Sequence, residues 1–430
     1  MKLNRFLILY SILIISLFSA VNIFSQTPIY LDPTKSVDAR VQDLLNRMSL
    51  DEKIGQMMQV DHTGIINNKQ DIINYYFGSI LSGGNSDLGN NTTKEWADLY
   101  DTLQSYALQT RLKIPIIYGI DAVHGNNNIY GATIFPHNIG MGCTRDTELV
   151  KEEGIVTADE LSATGIDWTF APCIANPRDI RWGRTYEGFG ETPELAGLLG
   201  DAEIKGLQGD KLSGGTSILA CAKHYLGDGG TQNGQNEGNV VADDTTVRNL
   251  YLPQYIDAVN SGAGSVMASY SSINGVKMHA SKYWLTDVLK TELGFKGFVV
   301  SDWAAIDQLG SDYEQDVETS VNAGVDMIML PTRYRDFYNA MKDLVNTGKI
   351  TMDRVNDAVT RILKIKFEKG LFEKPFTDRT LIDSVGSFNN RQVARRAVRE
   401  SLVLLKRKDN VLPISKSSIR ILVAGDHADD

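Results

Sequence analysis

Short, continuously apolar runs recur along the chain and alternate with stretches whose apolar positions return every three to four residues. The apolar runs predict eight strands, at 56–60, 78–81, 114–120, 168–171, 217–222, 265–270, 297–301 and 325–330. Several of them (IPIIYGI, GFVV, VDMIML) lack the apolar–polar alternation of a half-exposed strand. They read as strands buried on both faces of a parallel sheet. The intervening stretches carry helix signals. Thr92-x-x-Glu95 and Ser49-x-x-Glu52 are capping boxes, and Trp96, Leu99, Leu103 and Ala107 then recur at helical spacing. Val355, Val359, Ile362 and Lys366 keep the same period. Lys364, Lys366 and Lys369 load the last turns of that helix, and Gly370 stands at its C-terminal cap. Eight strand–helix units over about 330 residues point to an α/β fold, a (β/α)₈ TIM-like barrel spanning 37–370. The competing arrangement is an open doubly wound sheet. No strand–GxGxxG–helix fingerprint, Walker A loop or GxSxG elbow accompanies the pattern, and Gly140-x-Gly142 lacks its third glycine.

The two ends read differently from the middle. Residues 1–26 begin with Lys2 and Arg5 and continue into an apolar run over 6–18. This is the pattern of a secretory signal peptide. Ser19, Asn22 and Ser25 interrupt it before the ~20 apolar residues a membrane anchor needs. With the signal removed, no stable membrane span is expected, and the protein is expected to be secreted, periplasmic or lysosomal. Residues 371–410 read as a linker, polar and containing Pro375, with a helical pattern over 396–405. After Leu412-Pro413 the run IRILVA (419–424) is one more strand of the buried type. Residues 411–430 are therefore expected to be the truncated start of a second α/β domain.

Composition narrows the function. The 430 residues are 42% hydrophobic and 22% charged, an ordinary globular balance. A formal net charge of −10 without any basic block argues against a nucleic-acid partner, since neutralising phosphates takes clustered Lys and Arg. Three cysteines, Cys143, Cys173 and Cys221, give neither a disulfide framework nor paired zinc spacing, and no metal site is expected.

Polar residues collect where a barrel builds its active site, after the strands. Asp121 follows IPIIYGI, and Arg178, Asp179, Arg181, Trp182, Arg184 and Glu187 follow WTFAP. Lys223-His224 follows SILACA and leads into a Gly/Asn loop with Asp228 and Glu237. SVMASY ends in Tyr270, and GFVVS in Asp302-Trp303. Each has a plain reading alone: a helix cap, a structural ion pair, a flexible loop. A calcium site in the Gly/Asn loop would want DxDxDG spacing, which is absent. Five such ends in register point instead to an enzyme built on carboxylates. Carboxylates, cationic donors and a tryptophan together suit a polyhydroxylated substrate. Glycosidic bonds are cleaved between two carboxyl groups, and Asp302 is the best nucleophile candidate, because it ends a buried strand and is followed at once by an aromatic residue.

The chain resembles glycoside hydrolase family 3, the β-glucosidases and exo-β-glucanases, from about residue 37 to 430. The resemblance rests on MSLDEKIGQMMQ (48–59), GIDAVHG (119–125), FAPCIANPRDIRWGRTYEGFGE (170–191), ACAKHYLGDGGTQNGQNE (220–237), SYSSINGVKMHAS (269–281) and GFVVSDW (297–303). SLVLLKRKDNVLPI (401–414) is similar to the family's entry into its second domain. It implies a retaining exo-β-glucosidase acting on terminal non-reducing β-D-glucosyl residues of β-glucosides or β-glucan oligosaccharides, without a cofactor. Asp302 matches the family's catalytic nucleophile. Asp121, Arg184, Lys223, His224 and Tyr270 match the residues that hold the innermost sugar, and Met267 a contact beside that tyrosine. Glu237 matches an acidic residue near the nucleophile, Trp303 one side of an aromatic clamp, and Arg181 and Trp182 a brace for their loop. In this branch the general acid/base is a glutamate of the second domain, beyond Asp430. The N-acetylglucosaminidase branch uses a His after its Lys-His, but here that loop reads GDGGTQNG. Gln308 replaces an Arg common in plant-type relatives. The alternatives are a β-xylosidase or other exo-glycosidase of the family, and a catalytically incomplete sugar-binding barrel.

Overall fold

The computed structural model describes residues 27–83, 86–408, 412–417 and 420–426. The signal-peptide reading of 1–26 lies outside these residues. In chain order the strands are β1 (Met58–Asp61), β2 (Ser79–Ser82), β3 (Ile117–Ile120), β4 (Trp168–Thr169), β5 (Cys221–Tyr225), β6 (Asn239–Val240), β7 (Ser265–Ala268), β8 (Ser272–Ile273), β9 (Val276–Lys277), β10 (Phe298–Val300) and β11 (Ile328–Leu330). Eight of them are the eight apolar runs. They form two parallel sheets, β11-β1-β2-β3-β4 and β10-β7-β5. Isolated parallel bridges join the sheets at both ends: Trp168 to Leu219 and Cys173 to Lys223 on one side, Val300 to Met327 on the other. Leu219 N–H donates to Asp167 O at 2.7 Å and Ser301 N–H to Met327 O at 2.9 Å across these seams. The eight strands thus follow one another in chain order around a ring, as the barrel reading requires.

Three expectations are corrected. The fifth ladder starts at Cys221 rather than 217, so Lys223 and His224 lie on β5 itself. Leu219 donates to Asp167 O and accepts from the Thr169 amide, while the Ile218 amide bonds Leu207 O and the Ala220 amide Gln208 Oε1, which holds 217–220 without a ladder. The 420–424 stretch forms no strand, and Ile421, Leu422 and Val423 are exposed. Among the described residues no strand lies beside it to bond its backbone, and apolar character alone does not make a strand. The 371–410 segment expected to be a linker holds a helix at Phe388–Ser401, longer at its start than the 396–405 pattern. Arg396 bonds Asp146 and Glu152, and Asn390 bonds Glu160, so this helix lies against the barrel. Ala394 and Ala397 are buried against the barrel with Val393 beside them, and the rest of the attachment is polar, so hydrophobic periodicity registers it only in part.

Alternation within the strands separates two cores. Ile117, Trp168, Met267, Phe298, Val300 and Met329 pack together inside the ring. Tyr118, Ile120, Val266, Val299 and Ile328 point outward against the helices. Trp168 stands edge-on to Phe170 and Phe298, at 4.9 and 5.1 Å between ring centroids. The helix Met352–Lys369 closes the bottom. Its Lys366, on the apolar period, is fully buried because Nζ donates to Gln56 Oε1, Gly78 O and Pro115 O, each at 2.7 Å. Three donors meeting three acceptors at the starts of β1, β2 and β3 make a buried lysine tolerable.

On the outside, the helices Thr147–Ser162 and Pro193–Gln208 approach closely through Gly154 and Gly206. Glu153 and Glu203 are buried, and one carboxyl oxygen of each has no hydrogen-bond partner. Burial pushes both carboxyls up, and the charge of Glu203 pushes Glu153 further. A carboxyl raised in the fold binds its proton more tightly than in the unfolded chain. Its contribution to stability is therefore full below the ordinary glutamate range near ~4.3 and declines as pH rises toward the native value. Glu203→Gln is expected to flatten this alkaline decline and to be more stable than the parent at pH 8 by about 1–3 kcal/mol. Urea unfolding from pH 5 to 9 checks it; parallel stability curves for the two proteins would refute the buried-acid account.

Candidate functional site

All eight strands point the same way, so their C-terminal ends meet at one face. A cavity of about 200 Å³ opens there, lined by Leu81, Gly83, Asp121, Phe170, Arg184, Lys223, His224, Met267, Asp302, Trp303 and Met329. It is smaller than the ~300–1,000 Å³ of pockets for drug-sized ligands, and suits a single sugar ring. Phe170, Met267 and Met329 are the top layer of the ring's apolar interior, so the cavity floor is the roof of the core.

The charged walls are tied in pairs. Lys223 Nζ donates to Asp121 Oδ1 at 2.7 Å. Burial alone would lower the lysine, but Asp121 and Glu187 outweigh it and raise it, so it stays an ammonium. Arg184 forms a two-pronged pair with Glu187, at 2.7 and 2.8 Å. Its Nη2 also lies 2.9 Å from His224 Nε2, and His224 Nδ1 stands 2.8 Å from Asp228 Oδ2. Asp228 accepts from Ser269 Oγ and Ser271 Oγ at 3.3 and 3.2 Å. Burial pushes Asp228 up, but the His224 charge and hydrogen bond and the Arg184 charge hold it below the usual carboxylate range. The imidazole is thus fixed from behind, with its Nε2 edge turned to the cavity.

Asp302 follows β10 by two residues. Its Oδ1 accepts the Trp303 amide at 2.7 Å, and its own amide donates to His279 Nε2 at 3.1 Å. Oδ2 has no hydrogen-bond partner and lies 3.6 Å from His224 Nε2. Burial raises this carboxyl, against the opposing charges of His224, Arg184 and Lys223 and the Trp303 amide bond. A carboxylate in a cavity wall with one buried oxygen unpartnered is a group poised for another molecule's atom. Trp303 forms the rim, 38% exposed, with its indole where a side chain on Gly83 would have to be, 2.4 Å from a Cβ built there.

Asp121, Arg184, Lys223, His224, Met267, Asp302 and Trp303 are therefore brought to one cavity. Tyr270 and Glu237 are not among its lining residues. The Tyr270 hydroxyl donates to Trp303 O and lies beside the Asp302 carboxyl, whose charge helps burial raise it, while Glu237 Oε2 accepts from Gln308 Nε2 at 2.9 Å on the outer rim. Lys277 joins that rim, donating to Tyr270 O at 2.8 Å and Gln308 Oε1 at 3.0 Å. Arg181 pairs with Asp179 at the surface, and Trp182 is buried with its Nε1–H donating to Asn236 Oδ1. Sequence reasoning gave no role to Asp228, Glu187, Lys277 or His279. Two of them leave a signal: Glu187 lies three residues after Arg184, and Asp228 four after His224. Among the described residues, no group of three or more His, Cys, Asp or Glu stands close enough to hold a metal ion. Nor is any helix there long and apolar enough to cross a membrane.

Residues 49–365 match the family model described as the glycosyl hydrolase family 3 N terminal domain. The chain is 34% identical over 423 residues to a lysosomal beta glucosidase of Dictyostelium discoideum, covering 91% of this chain and 51% of that protein. It is 30% identical over 403 residues to a beta-xylosidase of Formosa agariphila, covering 90% and 50%. It superposes on the crystal structure of an exo-1,3/1,4-beta-glucanase from a Pseudoalteromonas species with a TM-score of 0.84 and 40% identity, over 90% of this chain and 50% of that one. The chain spans about half the length of these relatives.

The thiols take no part in this arrangement. Cys173 and Cys221 are buried, and burial pushes each up to about 12. Cys143 is exposed. Brief treatment of the folded protein with iodoacetamide is expected to add a single label, at Cys143, read by intact mass and peptide mapping. Labelling of Cys173 or Cys221 before unfolding would contradict the buried, inert assignment.

Proposed function

The chain belongs to glycosyl hydrolase family 3, and from that premise we propose that it is the nucleophile-bearing barrel of a retaining exo-acting β-glucosidase, which releases terminal non-reducing β-D-glucosyl residues through a covalent glycosyl-enzyme on Asp302. The observation that carries this reading is that Asp302, which lines a one-sugar cavity, keeps a buried Oδ2 with no hydrogen-bond partner. In this mechanism Oδ2 attacks the anomeric carbon and the aglycone oxygen leaves with the bond's electron pair. Water then hydrolyses the ester and restores the carboxylate. Lys223, Arg184 and His224 donate to sugar hydroxyls and Asp121 accepts from them, so the ring is oriented before the bond breaks. The positive charge that develops at the anomeric centre is met by the Asp302 carboxylate in a desolvated site. Trp303 offers an apolar face to the sugar or the departing unit, and Glu237 and Tyr270 shape the rim.

Retention needs a second carboxyl group ~5–5.5 Å from the first, to protonate the leaving oxygen. Asp121 is committed to Lys223. On the family resemblance, we assign the acid/base to a glutamate of a C-terminal domain. Signal-directed export to a secreted, periplasmic or lysosomal location belongs to the same proposal. A β-xylosidase reading is kept because the Formosa agariphila relative carries that name.

Incubation with 2,4-dinitrophenyl 2-deoxy-2-fluoro-β-glucoside is expected to add one fluoroglucosyl group, mapped to Asp302. That leaving group departs without acid help, so the assay does not depend on the second carboxyl. Asp302→Asn is expected to lower the labelling rate by ~10⁴-fold or more. A folded protein that stays unlabelled, or is labelled elsewhere, refutes the glucosidase reading; labelling only by the xylose analogue would select the xylosidase. The attacking form is the carboxylate, and burial raises Asp302. The labelling rate is therefore expected to rise with pH through a value above the ordinary aspartate range near ~3.9 and then level off. A rate that increases as pH falls through that range would oppose Asp302 as nucleophile.

A further inference from the structure

We infer that His279 is a positioning residue for Asp302, accepting the Asp302 amide hydrogen and so fixing the backbone from which the carboxylate is presented. The inference rests on the reading of Asp302 as nucleophile. β10 ends at Val300. Ser301 N–H still finds Met327 O across the seam, but the next amide, that of Asp302, has passed beyond the ladder. A buried amide needs an acceptor, and the imidazole of His279 supplies it at 3.1 Å. The Trp303 amide then bonds Asp302 Oδ1, which leaves Oδ2 free. Two amides in series thus aim the carboxylate, and the first of them is held by His279.

The imidazole is built to accept. It is 1% exposed, in the short turn Met278–Ala280, whose Met278 amide is anchored to Ser271 O at 3.1 Å. Burial, helped by the charges of Lys277 and His224, pushes it down to about 3, while a hydrogen bond with the Ser269 backbone opposes this. A neutral ring whose Nε2 accepts carries its proton on Nδ1. His279 is not among the cavity-lining residues, so it reaches the chemistry only through Asp302. The hairpin that carries it also holds the residues behind the sugar: Ser269 and Ser271 bond Asp228, and Tyr270 bonds Trp303 O.

The test uses the full chain with His279→Leu, which keeps bulk but not the acceptor, and His279→Gln, which restores one. Labelling by the dinitrophenyl fluoroglucoside is followed over a range of concentrations. For His279→Leu the saturating rate is expected to fall by ~10²-fold, the loss typical of a small misplacement, with half-saturation changed by less than ~3-fold. His279→Gln is expected to recover most of the rate. A wild-type rate in His279→Leu, or a loss of both parameters that Gln does not mend, overturns the proposal. If His279→Leu does not melt cooperatively, ¹⁵N-histidine NMR of the unaltered chain decides: the Nδ1–H tautomer without titration from pH 5 to 7 supports it, and an Nε2–H or titrating ring overturns it. If the unaltered chain is not labelled, the glucosidase reading is what fails, and the tautomer still decides how Asp302 is held.

Discussion

Parallel strands leave unpaired backbone groups at both edges of a sheet, and the seams at Leu219 and Met327 remove both edges together. The rest of the molecule depends on that closure. Because every strand in the ring runs the same way, its C-terminal ends crowd one mouth, and residues more than a hundred positions apart become neighbours. Lys223 and Asp121 meet across that mouth at 2.7 Å. The opposite end must be sealed as well, and Lys366 does so by satisfying three acceptors at the starts of the first three strands.

Crowding charges at the mouth is costly unless each has a partner, since burial penalises every unpaired one. The arrangement meets this by pairing: Lys223 with Asp121, Arg184 with Glu187, His224 with Asp228. Oδ2 of Asp302 is held least, with no hydrogen bond and His224 Nε2 beside it at 3.6 Å. A carboxylate held in place by its neighbours' amides, with one oxygen unspent, is the least compensated group of the cavity.

Much of the fold was legible because its causes are local. Continuous apolar runs marked eight strands, and capping boxes at Ser49 and Thr92 marked helix starts that the structure places at Leu50 and Thr93. The small β6-β8-β9 sheet gave no signal, because two-residue strands have no period. The helix at 388–401 was legible only in its second half, because two alanines, a valine, arginines and an asparagine fasten it to the barrel rather than a stripe of large apolar side chains.

The sequence by itself determined the class of fold, the family, and a set of polar residues following apolar strands, because backbone period and residue chemistry are written along the chain. Only the tertiary structure decided which of those residues share a cavity. It drew Met267 and Trp303 in, set Tyr270 and Glu237 on the rim, and revealed Asp228 and His279 behind the first layer. The reason is physical. Asp228 is four residues from His224, but its other two hydrogen bonds come from Ser269 and Ser271, more than forty positions away. His279 meets Asp302 from 23 residues upstream, through a backbone amide that any residue type would carry. Such contacts are made by closure of the ring, and no local pattern encodes them.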